Sequence, residues 1–453
     1  MIFFKRKRLI FWLLKAYLKR SGKTILISFL VGLAAFFILK YGVNYFIPLL
    51  PFTNEEKIGL EGAYTADNLP SEIISRVSIG LTSLDKNHNV VPGAARQWEI
   101  KDDGKTYIFY LKDNIYFSDK SKLKSSDINY NFTDATVQMP NDSTIIFRLK
   151  NKYSPFLVTV ARPIFKKDFV GIGTHKVQSI NLNGDFVQSI TLRSLKERNK
   201  VLVYQFYPTQ DALKTAFGLG EVNKIIGISD INFESSAFDK FPNVNVKKYF
   251  DDTKLIALFY NTSDKKLSEK RLREAISYSI SDNFSEGQRN YSSFSPNSWV
   301  SKDMQINEKQ DLEHAKILLD QSESFKGDKN YVFEIKTFAK YKKIAEKIQS
   351  DFLKIGIKSK ITVIDIFPPN FQLFLGDFRL PRDPDQYMLW HSSESENISR
   401  YKNLRIDKLL EDGRQIVEKE ERKKIYADFQ KYLLDDPPAV FIIFPYLYEV
   451  SRK

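Results

Sequence analysis

The sequence predicts a mixed α/β (α+β) body preceded by one transmembrane helix. Three observations lead there. Residues 25–39 read ILISFLVGLAAFFIL, without a charge. Beyond them, strand-like runs alternate with segments of helical periodicity, the pattern of folds that mix sheets and helices. No second apolar run of spanning length follows, and no repeat of about 20–50 residues marks a solenoid or propeller.

Residues 1–24 form a basic stub. Lys5, Arg6, Lys7, Arg8, Lys15, Lys19, Arg20 and Lys23 precede the apolar run, and no acid does. With Lys40 also set aside, 60 basic and 55 acidic residues remain in 41–453, although the whole chain carries +14. Most of the charge is therefore a topology signal. It places the N-terminus in the cytoplasm and the body outside the cell membrane. A nucleic-acid-binding body would keep its basic excess in the folded part, so no nucleic acid is expected as partner. Residues 9–18 (LIFWLLKAYL) suit an in-plane helix at the inner leaflet, or a plain continuation of the stub.

The transmembrane helix is expected over 25–47, since about 20 apolar residues cross a bilayer. Lys40 can snorkel, and Tyr41, Tyr45 and Phe46 suit the interface. A cleavable signal peptide is the rival reading, but KYGVNYFIPLLPF offers a poor cleavage site. An uncleaved anchor in the lipid bilayer is expected.

Strands are expected at 106–112, 143–149, 201–207, 254–260, 332–338 and 360–366. Another is expected at 439–446, where Pro445 marks an end or an edge. Helices are expected at 269–280, 311–321 and 341–355, the last stopped by Gly356. Residues 407–419 and 421–434 read as a charged helical pair.

The chain has no cysteine. That excludes disulfides, a thiol nucleophile, Cys-ligated metal and a lipid-bearing cysteine. The serine-hydrolase elbow and His-Glu-x-x-His are absent, and Gly171 and Gly173 lack the third glycine of a dinucleotide loop. His88, His175, His314 and His391 each stand alone in the sequence. No enzyme, cofactor or metal site is expected. Asp383-Pro384-Asp385, beside Tyr387 and Trp390, reads on local evidence as a Pro-stiffened turn with a helix cap. The 14% aromatic content suits a binding protein, although most of these rings will pack in cores.

Residues 80–132 carry an ordered block: Gly80-Leu81, Leu84-Asp85, Val91-Pro92, Ala95, Trp98, Asp102-Asp103-Gly104-Lys105-Thr106-Tyr107, Leu111, Phe117, Ser125-Ser126-Asp127-Ile128 and Phe132. Here Asp103-Gly104-Lys105 is a hairpin turn, Trp98 a core anchor and Ser126-Asp127 a helix cap. Later blocks keep the order: Asp211-Ala212-Leu213, Leu258 to Thr262, Arg271 to Ile280, Leu312 to Leu319, Ala345 to Ile357, then Asp383-Pro384-Asp385 and Arg400 to Leu410. Together these blocks resemble the family 5 extracellular solute-binding proteins, the oligopeptide, dipeptide and nickel receptors of ABC importers.

The resemblance implies a two-lobed, type II periplasmic-binding-protein-like body with two hinge crossings, at 254–261 and 439–446. Lobe one would be 56–255 plus 438–453, and lobe two 256–437. It implies a membrane-tethered monomer that captures peptides or peptide-like solutes, without catalysis, and docks on ABC permease subunits. Asp383 and Asp385 would line the cleft from lobe two, with Trp390 and Asn261 nearby and Tyr64 opposite. A non-transport ligand sensor or docking protein on the same fold is the alternative. The chain departs from the pattern in its helical anchor, in Val170 to His175, in the short stretch between Phe132 and Thr144, and in ending soon after the second crossing. The last two lead us to expect a trimmed lobe one.

Overall fold

The computed structural model describes residues 2–38, 40, 54–197, 199–301, 309–326, 328 and 330–453. Its contacts divide the chain into two units, 1–55 with 197–201 and 56–196 with 202–453.

The first unit contains α1 (Ile2–Phe37), one uninterrupted helix. The basic stub and the first part of the expected span are thus continuous, and residues 9–18 do not form a separate segment. Lys19–Phe37 is long and apolar enough to cross a membrane. Residues 41–47 of the expected span, with Tyr41, Tyr45 and Phe46, lie outside the described residues.

The second unit is built on strands. In chain order they begin with β1 (Asn54–Glu61), β2 (Ala95–Lys101), β3 (Thr106–Leu111), β4 (Ala135–Asn141) and β5 (Thr144–Leu149). Then come β6 (His175–Asn183), β7 (Phe186–Ser194), β8 (Lys200–Tyr207), β9 (Lys224–Ile228), β10 (Val244–Phe250) and β11 (Lys254–Tyr260). The last are β12 (Gly287–Arg289), β13 (Val332–Phe338), β14 (Lys358–Ile364), β15 (Leu373–Arg379) and β16 (Ala439–Arg452). A four-stranded sheet has the order β2-β3-β5-β4. A twelve-stranded sheet runs β14-β13-β15-β11-β16-β9-β1-β8-β7-β6, with β10 and β12 also on β16.

Residue type explains the central strands. β11 is apolar at nearly every position and lies between β15 and β16. Ile256, Leu258 and Tyr260 enter one core cluster, and Leu255, Ala257 and Phe259 the cluster on the opposite face. β16 changes partner along its length. Ala439 to Ile443 pair with β11, and Tyr446 to Arg452 with β10. The chain thus passes between these two parts of the large sheet twice, between β10 and β11 and again within β16. Pro445 does not end the strand. It falls between these two ladders, where a missing N–H interrupts neither, and its carbonyl accepts from Asp251 N–H at 3.1 Å.

Helices cover the sheet: α2 (Ser71–Val77), α3 (Gln210–Leu219), α4 (Lys270–Ser279), α5 (Leu312–Gln321), α6 (Lys342–Lys354), α7 (Leu404–Gln415) and α8 (Lys419–Asp435). Gly356 follows α6 with φ +85°, the left-handed terminator its sequence position implies. α7 starts three residues before the expected 407, because the Asn403 side chain accepts from the Arg405 and Ile406 N–H groups at 3.0 and 3.3 Å. It also stops early, and Glu418 caps α8 through Glu421 N–H at 2.9 Å. Ser126-Asp127 cap no helix. Ser125–Asp127 is a single 3-10 turn, and the Asp127 carboxylate accepts from Lys124 N–H at 2.8 Å. Trp98 is partly buried and packs on the core of the small sheet.

Candidate functional site

A cavity of about 820 Å³ opens between the end of β15, residues 367–371 and the loop 392–402. Its apolar wall includes Phe367, Phe371, Phe378 and Ile398, and its polar wall includes Ser392, Glu394, Glu396, Arg379, Arg400 and Lys402. The Phe371 and Phe374 rings lie 5.8 Å apart, and Phe367 stands edge-on to Phe374 at 5.1 Å. Phe371 and Phe378 are buried, whereas Phe367 is 49% exposed.

The polar loop is rigid where it meets the core. Buried Asn397 accepts from Tyr401 N–H at 3.2 Å and donates to the Tyr401 carbonyl at 2.8 Å. Arg400 sits at φ +53° and donates to the Pro369 carbonyl at 2.6 Å, joining the two sides of the cavity. Arg379, Lys402, Glu394 and Glu396 have no ion-pair partner among the described residues, so charges of both signs face the space unneutralised. The Ser392 hydroxyl is buried in this wall with no hydrogen-bond partner among the described residues. An unpaired buried hydroxyl costs about 1–3 kcal/mol unless water or a ligand satisfies it.

None of the five residues singled out from sequence is among those lining this cavity. Asp383 is buried, and its carboxylate accepts from Arg422 Nη1 and Nη2 at 3.1 and 2.6 Å. Asp385 accepts from Arg414 Nε at 2.8 Å and from Tyr387 N–H at 3.1 Å, just ahead of the helical turn Tyr387–Trp390. Burial raises its pKa against the pull of Arg414. Trp390 is 1% exposed, donates its indole N–H to Gln386 Oε1 at 2.9 Å, and packs on Phe259, Phe378 and Phe441. Asn261 donates to the Phe371 carbonyl at 2.8 Å and accepts from Ser263 N–H at 3.1 Å.

All four have their polar atoms engaged inside the protein, and of them Asn261 and Trp390 touch wall residues, Phe371 and Phe378. The physical reason is pairing: arginines on α7 and α8 neutralise the two aspartates in place. Tyr64 differs. It packs on Phe206 at 5.0 Å, donates to the Glu61 carbonyl at 3.2 Å, and lies near enough to Arg379 to feel its charge. Burial raises the Tyr64 pKa, Arg379 lowers it and Glu61 raises it. Tyr64 follows β1 and Arg379 ends β15, two strands of the large sheet.

Sequence reasoning missed the groups that line the space. Arg400 and Lys402 lay inside a matched block but carried no stated role. Ser392 to Glu396 is an aperiodic polar stretch, and its only signal is two acids among serines. A second cavity, of about 520 Å³, lies beside Asp282, Lys347 and Tyr446. Asp282 is already engaged there by the Tyr291 hydroxyl at 2.7 Å and by Gln310 N–H at 3.1 Å. No cluster of three or more metal-binding side chains occurs among the described residues.

Comparison with known proteins agrees with this architecture. The chain is 22% identical to the oligopeptide-binding protein AppA of Bacillus subtilis, over 84% of this chain and 83% of that protein. It is 20% identical to the dipeptide-binding protein of Escherichia coli, over 80% and 82%. Among solved structures, the substrate-binding protein CtaP of Listeria monocytogenes superposes with a TM-score of 0.75 at 20% identity, covering 88% of this chain and 94% of that one. NikZ of Campylobacter jejuni, solved with Ni(L-His), gives 0.69 at 21% identity with the same coverage. Both likenesses identify the type II periplasmic-binding fold. The family model for bacterial extracellular solute-binding proteins, family 5 Middle, matches residues 89–399, well over half of the chain, and the protein belongs to that family.

Proposed function

We propose that the protein is a membrane-tethered receptor that captures peptides or peptide-like solutes outside the cell and presents them to the permease of an ABC importer. One observation carries the peptide reading: unpaired charges of both signs surround an aromatic-walled cavity. A short peptide is zwitterionic. Its ammonium matches Glu394 and Glu396, its carboxylate matches Arg379 and Lys402, and its backbone can satisfy the Ser392 hydroxyl. The cavity falls within the range typical of small-ligand sites.

In this reading lobe one comprises 56–255 with 438–453 and lobe two 256–437. Lobe two holds the cavity, and Tyr64 closes on it from lobe one. Asp383, Asp385, Trp390 and Asn261 position the wall. The α1 helix anchors a monomer with its basic end in the cytoplasm. The names of the relatives support binding rather than catalysis, and the proposed cycle needs no bond to be made or broken.

Native mass spectrometry of the full chain, extracted in detergent without refolding, tests the reading. Retained peptide masses, lost in an Arg379→Glu variant, are expected. Retention of a metal chelate or sugar instead would overturn it. Carbonate extraction checks the tether, and the protein should stay in the membrane pellet.

A further inference from the structure

We infer that the cavity is a socket for an aromatic side chain, so that the receptor selects peptides carrying Phe, Tyr or Trp over those with small side chains. This rests on the peptide reading above and names the class of peptide.

Phe367, Phe371 and Phe374 form a cluster with ring centroids 5.1, 5.8 and 6.4 Å apart. Two of the three pairs stand close to edge-on, at 83° and 74°. Such a stack is extended favourably by another ring at the same spacing, whereas an aliphatic chain gains burial alone.

The stack is also incomplete. Phe371 and Phe374 are 6% and 2% exposed, yet Phe367, in contact with both, keeps 49% of its surface open, and neighbouring Ile366 keeps 78%. A large apolar ring half-exposed on a cavity wall is an apolar contact with one side missing. Phe367 is also held in place: the lip that carries it is tied down by Arg400 to the Pro369 carbonyl and by Asn261 to the Phe371 carbonyl. A ring fixed before binding loses little entropy when a ligand packs on it.

The test uses the full chain in nanodiscs and titration calorimetry. The probes are trialanine and three peptides in which Phe replaces each alanine in turn. The best aromatic peptide is expected to bind at least tenfold more tightly than trialanine. Phe367→Ser and Phe367→Leu should each cut that ratio below threefold. The leucine variant keeps apolar bulk in case the serine variant folds poorly. A ratio below threefold in the parent protein, or a tenfold ratio that survives both substitutions, overturns the inference while leaving peptide capture intact. If trialanine and all three aromatic peptides fail to bind, the peptide reading itself falls and this inference with it.

Discussion

Arg422 reaches from α8 to both carboxylate oxygens of Asp383 and to the Gly413 carbonyl, and both charged side chains are buried. Breaking such a buried pair leaves one charge uncompensated, which costs about 3–5 kcal/mol. Arg422→Ala should therefore lower the urea midpoint by that equivalent, and adding Asp383→Leu should restore most of the loss.

Asp252, between β10 and β11, gives a pH prediction. Burial pushes its carboxyl up. Hydrogen bonds from His88, Asn297 and Ser295, with the His88 charge, outweigh burial and hold the pKa at about 2. That lies below the unfolded value of about 3.9, so the group adds stability above about pH 4 and loses it as pH falls towards 2. Asp252→Asn should cost stability near about pH 6, and the cost should shrink near about pH 3 in denaturant titrations. None of these pairings was legible in the sequence. Asp383 sits in a motif that attracts a ligand role, and its partner lies 39 positions away on another element.

At the level of elements the sequence was more informative, for physical reasons. The runs at 254–260 and 332–338 recur as strands with those bounds, because their apolar residues are buried by sheet neighbours. Tyr341 and Gly356 flank α6 as its periodicity and terminator require. Boundaries failed where a side chain acts on the backbone. Asn403 lies four residues ahead of the expected start, yet it sets the start of α7. Asn403→Ala should cost about 1 kcal/mol of stability, measured by thermal unfolding. The cavity was least legible of all. It is made by residues 367–371 and 392–402, which have neither helical nor strand periodicity, so only their convergence in space reveals them.

At the scale of the whole molecule, a ligand captured as proposed would bind the folded form alone. A saturating peptide at about 100 times its Kd should add about 2.7 kcal/mol to stability, visible as a raised Tm. Sequence order exposed the family because several weak blocks occurred in its order. β16 has a consequence for how the protein is made. It contributes Val440 and Ile442 to one core, Phe441 and Phe444 to a second and Val450 to a third. Its partners β9, β10, β11 and β12 all precede it in the chain. During synthesis neither lobe can complete its sheet until residues 439–452 have emerged, so the lobes cannot fold one after the other as independent domains do. The large sheet is therefore among the last parts of the body to close, whereas the four-stranded sheet needs nothing beyond residue 149.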